Sequence, residues 1–260
     1  MPKLSVTVIT KNEARDLGAA LESVRFADEI IVVDSGSTDE TVAIARRYTQ
    51  TVVVREWPGY ATQKNVAASL AQHDWVLSID ADERVTPALA DEIRALLATP
   101  PPHVAYRMPR VSWHLGRWIR STDWYPDPQT RLYNRHAARW TGAYVHESIE
   151  ADGSVGSLHG ELQHFPYHDL ADHMETIDRY TTLAAEAMRA GGRQASLMQI
   201  AGHPPLAFLR NYLARGGWRD GTVGFVVSAM NAYYVFMKFA KRWEQGRREP
   251  SPADAGRDGS

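Results

Sequence analysis

Apolar and polar positions alternate in blocks along the first hundred residues. Leu4 to Ile9 is a short β-branched run that predicts a strand, and beyond Asn12 the positions Ala14, Leu17, Leu21 and Val24 recur at helical spacing. The unit then repeats. Ile30 to Val33 reads as a second strand, and Ser37 with Glu40 has the form of a capping box for a helix carrying Val42, Ile44 and Tyr48. Thr51 to Val54 predicts a third strand, Ala61 to Ala71 a helix, and Trp75 to Ile79 a fourth strand running into Asp80-Ala81-Asp82-Glu83. Thr86 caps the next helix with Pro87 at its first position, and Leu89, Ile93 and Leu96 form its buried face. This alternation implies βαβ units in a parallel sheet with right-handed crossovers.

The prolines in 99–102 end that pattern and mark a boundary. Shorter strand-like runs follow (Ala105 to Met108, Arg131 to Tyr133, Ala143 to Val145) among many Trp, His, Arg and Gly. Leu170, Met174, Ile177, Thr181, Ala184 and Met188 then outline a long helix stopped by Gly191-Gly192. The division expected is 1–100, an α/β half; 101–190, a second half; 191–245, a helical extension; and 246–260, a disordered tail rich in Gly, Pro, Ser and charge.

The formal charge of −2 gives no overall attraction to nucleic acid. The absence of cysteine excludes disulfides, thiolate nucleophiles and cysteine-based zinc sites. The apolar run before Lys11, Glu13 and Arg15 is too short for a signal peptide, so a cytoplasmic start is expected.

In open α/β sheets ligands bind outside the carboxyl ends of the strands. Here those ends carry Thr10-Lys11-Asn12-Glu13, Asp34-Ser35-Gly36-Ser37 and Asp80-Ala81-Asp82. Neither a G-x-G-x-x-G after the first strand nor a P-loop is present, which argues against dinucleotide oxidoreductases and P-loop enzymes. In an extended segment residues two apart point the same way, so Asp80 and Asp82 are able to face one cation, and oxygen ligands suit Mg2+ or Mn2+. Such an ion bridges a diphosphate and offsets charge on a departing nucleoside diphosphate. The plainer alternative is a pair of acids in a surface turn.

Together, Val8-Ile9-Thr10-Lys11-Asn12-Glu13, Val32-Val33-Asp34-Ser35-Gly36-Ser37-Thr38-Asp39 and Asp80-Ala81-Asp82-Glu83 resemble the family 2 glycosyltransferases. Asp127-Pro-Gln-Thr-Arg131-Leu132, Trp140-Thr-Gly142, Val145-His146-Glu147 and His164-Phe-Pro-Tyr167 resemble the branch that builds lipopolysaccharide inner core, described as β-1,4-glucosyltransferases. The resemblance implies a glycosyltransferase A-type fold, a Rossmann-like, mostly parallel sheet flanked by helices, here with a C-terminal helical extension. It implies an inverting, metal-dependent transfer of a sugar, glucose first, from a nucleoside diphosphate sugar such as a UDP-sugar to a lipid-linked saccharide acceptor.

Carried over by position, Thr10, Asn12, Glu13, Asp34, Lys64 and Asp80 are the donor-binding residues, with Asp80 and Asp82 holding the divalent cation. Asp34 has the alternative of capping its own turn, and Lys64 that of a solvated helix face. Inversion needs a general base, for which Glu147 is the first choice and Asp127 the second. For Glu147 the alternative is a structural ion pair, with Arg131 as a candidate partner. His146 and His164 are further ligand candidates or packing residues. Trp113, Trp118, Trp124 and Tyr125, among Arg110, Arg117 and Arg120, suit sugar stacking and anion binding, or core packing.

Two other readings compete: a nucleotidyltransferase, which normally carries a glycine-rich basic loop after the first strand, and a non-catalytic nucleotide-sugar binder. The nearly uncharged run Thr222 to Met237 falls short of a membrane span. Arg215, Arg219, Lys238, Lys241 and Arg242 bracket it, with Trp218 and Trp243 as interface anchors. This suggests peripheral attachment at the cytoplasmic face of the inner membrane, or a helix packed on the catalytic domain.

Overall fold

The structure is a computed structural model that describes residues 2–142 and 147–247. The expected strand at Ala143 to Val145, His146 and the tail from residue 248 lie outside the described residues. In chain order the strands are β1 (Leu4–Thr10), β2 (Glu29–Asp34), β3 (Thr51–Val54), β4 (Trp75–Asp80), β5 (Glu83–Val85), β6 (Ala105–His114), β7 (Arg117–Ile119), β8 (Asp127–Asn134), β9 (Ala138–Thr141), β10 (Ser148–Ala151), β11 (Val155–Ser157) and β12 (Leu162–His164). The helices are α1 (Leu17–Ser23), α2 (Thr41–Ala45), α3 (Tyr60–Ser69), α4 (Pro87–Leu97), α5 (Leu170–Ala190), α6 (Leu197–Leu209) and α7 (Gly221–Gln245).

The main sheet runs β3-β2-β1-β4-β8-β6-β12-β5. Its first four strands are parallel, and antiparallel β8 joins them to the second half. All seven residues of β1 are buried, because helices cover both faces of a parallel sheet and leave no polar side. Val6, Val8, Val32, Leu77 and Ile79 face α1 and α4, where Leu17, Leu21, Leu89 and Ile93 fill the core. Ile31, Val33 and Val76 point the other way, toward Ala67 and Ala68 of α3 and Trp140 of β9. This is the mostly parallel, helix-flanked sheet expected, with helices at the C-terminal end.

Local chemistry accounts for the element boundaries. Thr86 accepts the Leu89 N–H as expected and starts α4. The capping box expected from Ser37 and Glu40 does not form. The Ser37 hydroxyl turns back to Asp34 and accepts the Asn12 N–H, and Asp39 instead accepts both the N–H and the hydroxyl of Thr41, where α2 begins. On α4 it is Leu97, rather than Leu96, that joins Leu89 and Ile93 among the buried residues.

The chain divides into two compact units, 1–112 with 126–165, and 113–125 with 166–260, so the stretch 101–190 contributes to both. In the second unit α7 packs on α5 and α6. A Cβ on Gly224 would lie 1.8 Å from the Gly217 carbonyl oxygen, so the first turn of α7 requires glycine. Ser121 and Arg117 bind Asp220, which ties the 113–125 hairpin to the start of α7. The run Gly217–Gln245 meets the length and composition needed to cross a membrane, contrary to the shorter run read from sequence, and 22% of its most apolar window is buried within the fold.

Candidate active site

The strand order reverses direction between β1 and β4, which opens a crevice at their carboxyl ends. Thr10 ends β1 and accepts the Ser35 N–H through its carbonyl. Asn12 adopts φ 56°, a left-handed conformation that asparagine tolerates, and its side-chain oxygen accepts the Thr38 N–H at 2.8 Å. The Glu13 N–H donates to the Thr41 hydroxyl at 2.8 Å. These bonds stitch the loops after β1 and β2 into one wall.

Asp34 is fully buried, and its carboxylate accepts from the Gly36 and Ser37 N–H groups and from the Ser37 hydroxyl. Its observed contacts are those of a turn-capping residue. Gln63, which the sequence did not single out, donates to the Ser35 hydroxyl at 3.2 Å. The buried Gln63 Oε1 and Thr10 Oγ1 have no hydrogen-bond partner among the described residues.

β4 delivers Asp80 to the crevice, but the chain turns at Ala81-Asp82 rather than continuing extended. The two carboxylates, each 29% exposed, therefore meet different partners instead of one point. Asp80 contacts Lys64 Nζ at 2.9 Å and Arg131 Nη2 at 2.7 Å. Burial alone would raise its pKa, yet Arg131 and Lys64 outweigh that and hold it well below the usual carboxylate range. Asp82 lies 3.3 Å from His164 Nε2, while His164 Nδ1 is hydrogen-bonded with the Ser112 hydroxyl at 3.0 Å.

Around Asp80 the charges alternate along a chain of seven side chains. Glu147 meets Lys64 at 3.2 Å, Lys64 meets Asp80, Asp80 meets Arg131, and Arg131 meets Glu83 at 2.7 Å. Glu83 then meets Arg110 at 2.9 Å, and Arg110 meets Asp127 at 2.7 Å. Lys64 is 1% exposed and sits 4.3 Å from the centre of the Trp140 ring, so the solvated helix face considered from sequence is ruled out. Asn65 fixes α3 there by bonding both the N–H and the carbonyl of Trp140. Burial disfavours the charge on Arg131, but Asp80 and Glu83 raise its pKa further still, so it remains a guanidinium.

The ion pair of Glu147 forms with Lys64 rather than with Arg131 as anticipated. Both Asp127 oxygens are engaged, one by Arg110 and the other by Gln129 at 2.7 Å. Glu83 is the functional neighbour that sequence reading passed over. It is fully buried, it bonds Arg131 and Arg110, and its carboxylate accepts the Asp80 N–H at 3.0 Å. Trp113, Trp118, Trp124 and Tyr125 belong to the second unit, where Trp113 and Trp118 meet edge to face at 5.0 Å and Trp124 joins His114, Tyr167 and His173.

The profile of Glycosyl transferase family 2 matches residues 5–149. The chain is 32% identical to the lipopolysaccharide core biosynthesis glycosyltransferase LpsC of Rhizobium meliloti, across 97% of each chain. It is 31% identical to the uncharacterized glycosyltransferase RP128 of Rickettsia prowazekii, across 93% of this chain and 87% of that one. Among solved structures it is similar to S. aureus TarS at 22% identity and a TM-score of 0.39, covering 51% of this chain and 28% of that one. The matched region contains the loops after β1, β2 and β4 and ends just beyond Glu147, and the likeness to LpsC spans both units. The chain belongs to glycosyltransferase family 2.

Proposed function

We propose that this glycosyltransferase moves a hexose, glucose first, from a UDP-sugar to a lipid-linked saccharide of the lipopolysaccharide core, with inversion at the anomeric carbon and with a divalent cation. The acceptor class rests on the likeness to LpsC along the whole chain. The observation that carries the chemistry is the division of the D-A-D motif, in which Asp80 is locked between two cations and Asp82 is paired with His164.

The donor set fits a cation. Asp82 and His164 supply one oxygen and one nitrogen ligand, and Ser112 orients the ring from its other nitrogen. Among the described residues no cluster of three acidic or imidazole side chains forms a protein-only cage. Mg2+ and Mn2+ sites that work on phosphates commonly use one or two protein ligands and leave the remaining positions to phosphate and water. When bound, the cation offsets the charge that collects on the departing diphosphate.

The side chains perform the remaining tasks. Thr10 and Gln63 offer unpartnered buried polar atoms to a nucleoside, on the wall that Asn12, Glu13 and Asp34 hold in shape. Glu147 acts as base. It takes the proton from the acceptor hydroxyl while that oxygen forms its bond to the anomeric carbon, and the bond from that carbon to the diphosphate oxygen breaks with its electron pair leaving on the diphosphate. Asp127 is the weaker candidate because both of its oxygens are occupied. Lys64 positions the base and joins it to Asp80.

The test is a panel of nucleoside diphosphate sugars incubated with core lipopolysaccharide and Mg2+ or Mn2+. UDP release that requires acceptor, with the anomeric configuration inverted in the product, is the expected result. Tight binding of a nucleotide sugar without any turnover would favour the non-catalytic binder, and retention of configuration would remove the single-base mechanism.

A further inference from the structure

Two of the five cations expected to bracket an interfacial α7 are used inside the second unit. Lys241 bonds Asp178 and Thr182 of α5, and the buried Arg242 donates to the Arg193 carbonyl. α7 exposes Phe225, Tyr233, Phe236 and Trp243, but the most exposed apolar groups lie on α6 and its continuation through Ala214. Met198, Leu206, Leu209 and Leu213 recur at a spacing that places them on one face, and they are 81%, 64%, 47% and 58% exposed. The opposite side of the same helix is buried through the small or polar Ala207 and Asn211. Trp218, just beyond, is also exposed. This helix is thus amphipathic in the inverse sense, with its large apolar groups in water.

The charge along this stretch is positive, and one of its cations, Arg210, lies 3.8 Å from Asp123. From residue 191 to 219 the sequence contains Arg193, Arg210, Arg215 and Arg219 and no acidic residue. All four arginines are exposed. The nearest acid in sequence, Asp220, is buried and already bound by Arg117 and Ser121. A second copy of the chain meeting this face symmetrically would set arginines against arginines, which disfavours self-association. An anionic bilayer satisfies both features, with leucines entering the acyl boundary and arginines meeting the headgroups.

We infer that the α6 face docks the protein on an anionic lipid surface. This stands on the second unit alone and does not depend on the transferase reading, although a lipid-linked acceptor would be met at such a surface.

Full-length protein should co-sediment with phosphatidylglycerol vesicles at low salt, less at high salt, and little with phosphatidylcholine vesicles. The paired substitution Leu206→Glu and Leu209→Glu should reduce that binding about ten-fold or more, with melting temperature and UDP binding in solution unchanged. Arg215→Glu with Arg219→Glu should reduce it too, and should remove its salt dependence. Wild-type protein that ignores phosphatidylglycerol vesicles at low salt would overturn the inference, as would a leucine variant that binds them like wild type. A wild-type dimer that the leucine variant dissociates, without vesicle binding, would assign the face to a second copy instead. UDP binding measured in parallel reports on the first unit, so a failed membrane result remains distinct from a failed transferase reading.

Discussion

The two units depart from ordinary globular chemistry in opposite directions. The first buries charge, with Lys64, Glu83 and Arg131 inside it, and the second exposes large apolar groups on α6. Buried charge is costly unless it is paired, and an exposed apolar face is unfavourable unless something covers it. In the first unit the pairing is internal and complete enough to be seen, as an alternating chain from Glu147 to Asp127. In the second unit no covering element is visible among the described residues, and the compensation must come from outside. The first kind of departure points to chemistry, the second to association.

The largest expected effect comes from breaking the buried chain at its centre. Glu83→Gln keeps the shape but removes the charge that Arg131 and Arg110 share, and should cost about 3–5 kcal/mol in a chemical denaturation experiment. Glu147→Gln, at one end of the same chain, should instead lower kcat about a hundred-fold or more while UDP binding persists. An active Glu147→Gln beside an inactive Asp127→Asn would pass the role of base to Asp127.

Smaller effects separate the units by pH and by local hydrogen bonding. In the second unit His173 stacks on Tyr167 and lies 3.2 Å from His114. Burial, with a further contribution from His114, lowers the pKa of His173 to about 4. The folded state therefore disfavours the proton that the unfolded chain accepts near pH 6.5. That stability is fully present above about pH 6.5 and is lost as pH falls toward 4, by about 2–3 kcal/mol. Melting curves between these pH values should show the loss, and His173→Phe should flatten it. The smallest change is Asp34→Ala, which opens a partly solvated turn and should cost roughly 1 kcal/mol, with KM for the donor raised more than kcat is lowered.

Much of the first unit was legible because parallel strands covered on both faces are written as continuous apolar runs, such as Leu4 to Ile9. The three polar strand ends were legible for the same reason. The division between Asp80 and Asp82 was not, since it depends on a turn at Ala81 and on Lys64, Arg131 and His164 arriving from distant parts of the chain. The burial of Lys64 was not legible either, because it comes from Asn65 clamping β9 over α3, a contact between residues 75 positions apart. Glu83 stood in the motif without a role of its own, because a buried acid and a solvated acid are the same letter. In the second unit the apolar run of α7 was plain, but that α6 would present its large apolar groups to water followed only from how α6 and α7 pack.

The central claim is that Asp82 and His164 hold a cation for a nucleoside diphosphate while Asp80 organises the cations of the protein. The most direct measurement is calorimetric binding of UDP with and without Mn2+, for wild type, Asp82→Asn, His164→Ala and Asp80→Asn, with a melting curve for each. Wild type should bind UDP at least about ten-fold more tightly with Mn2+ than in chelator. Asp82→Asn and His164→Ala should lose that Mn2+ dependence at unchanged melting temperature, and Asp80→Asn should melt earlier. UDP binding that is equally tight in chelator, or Mn2+ dependence that survives in both Asp82→Asn and His164→Ala, would contradict the account.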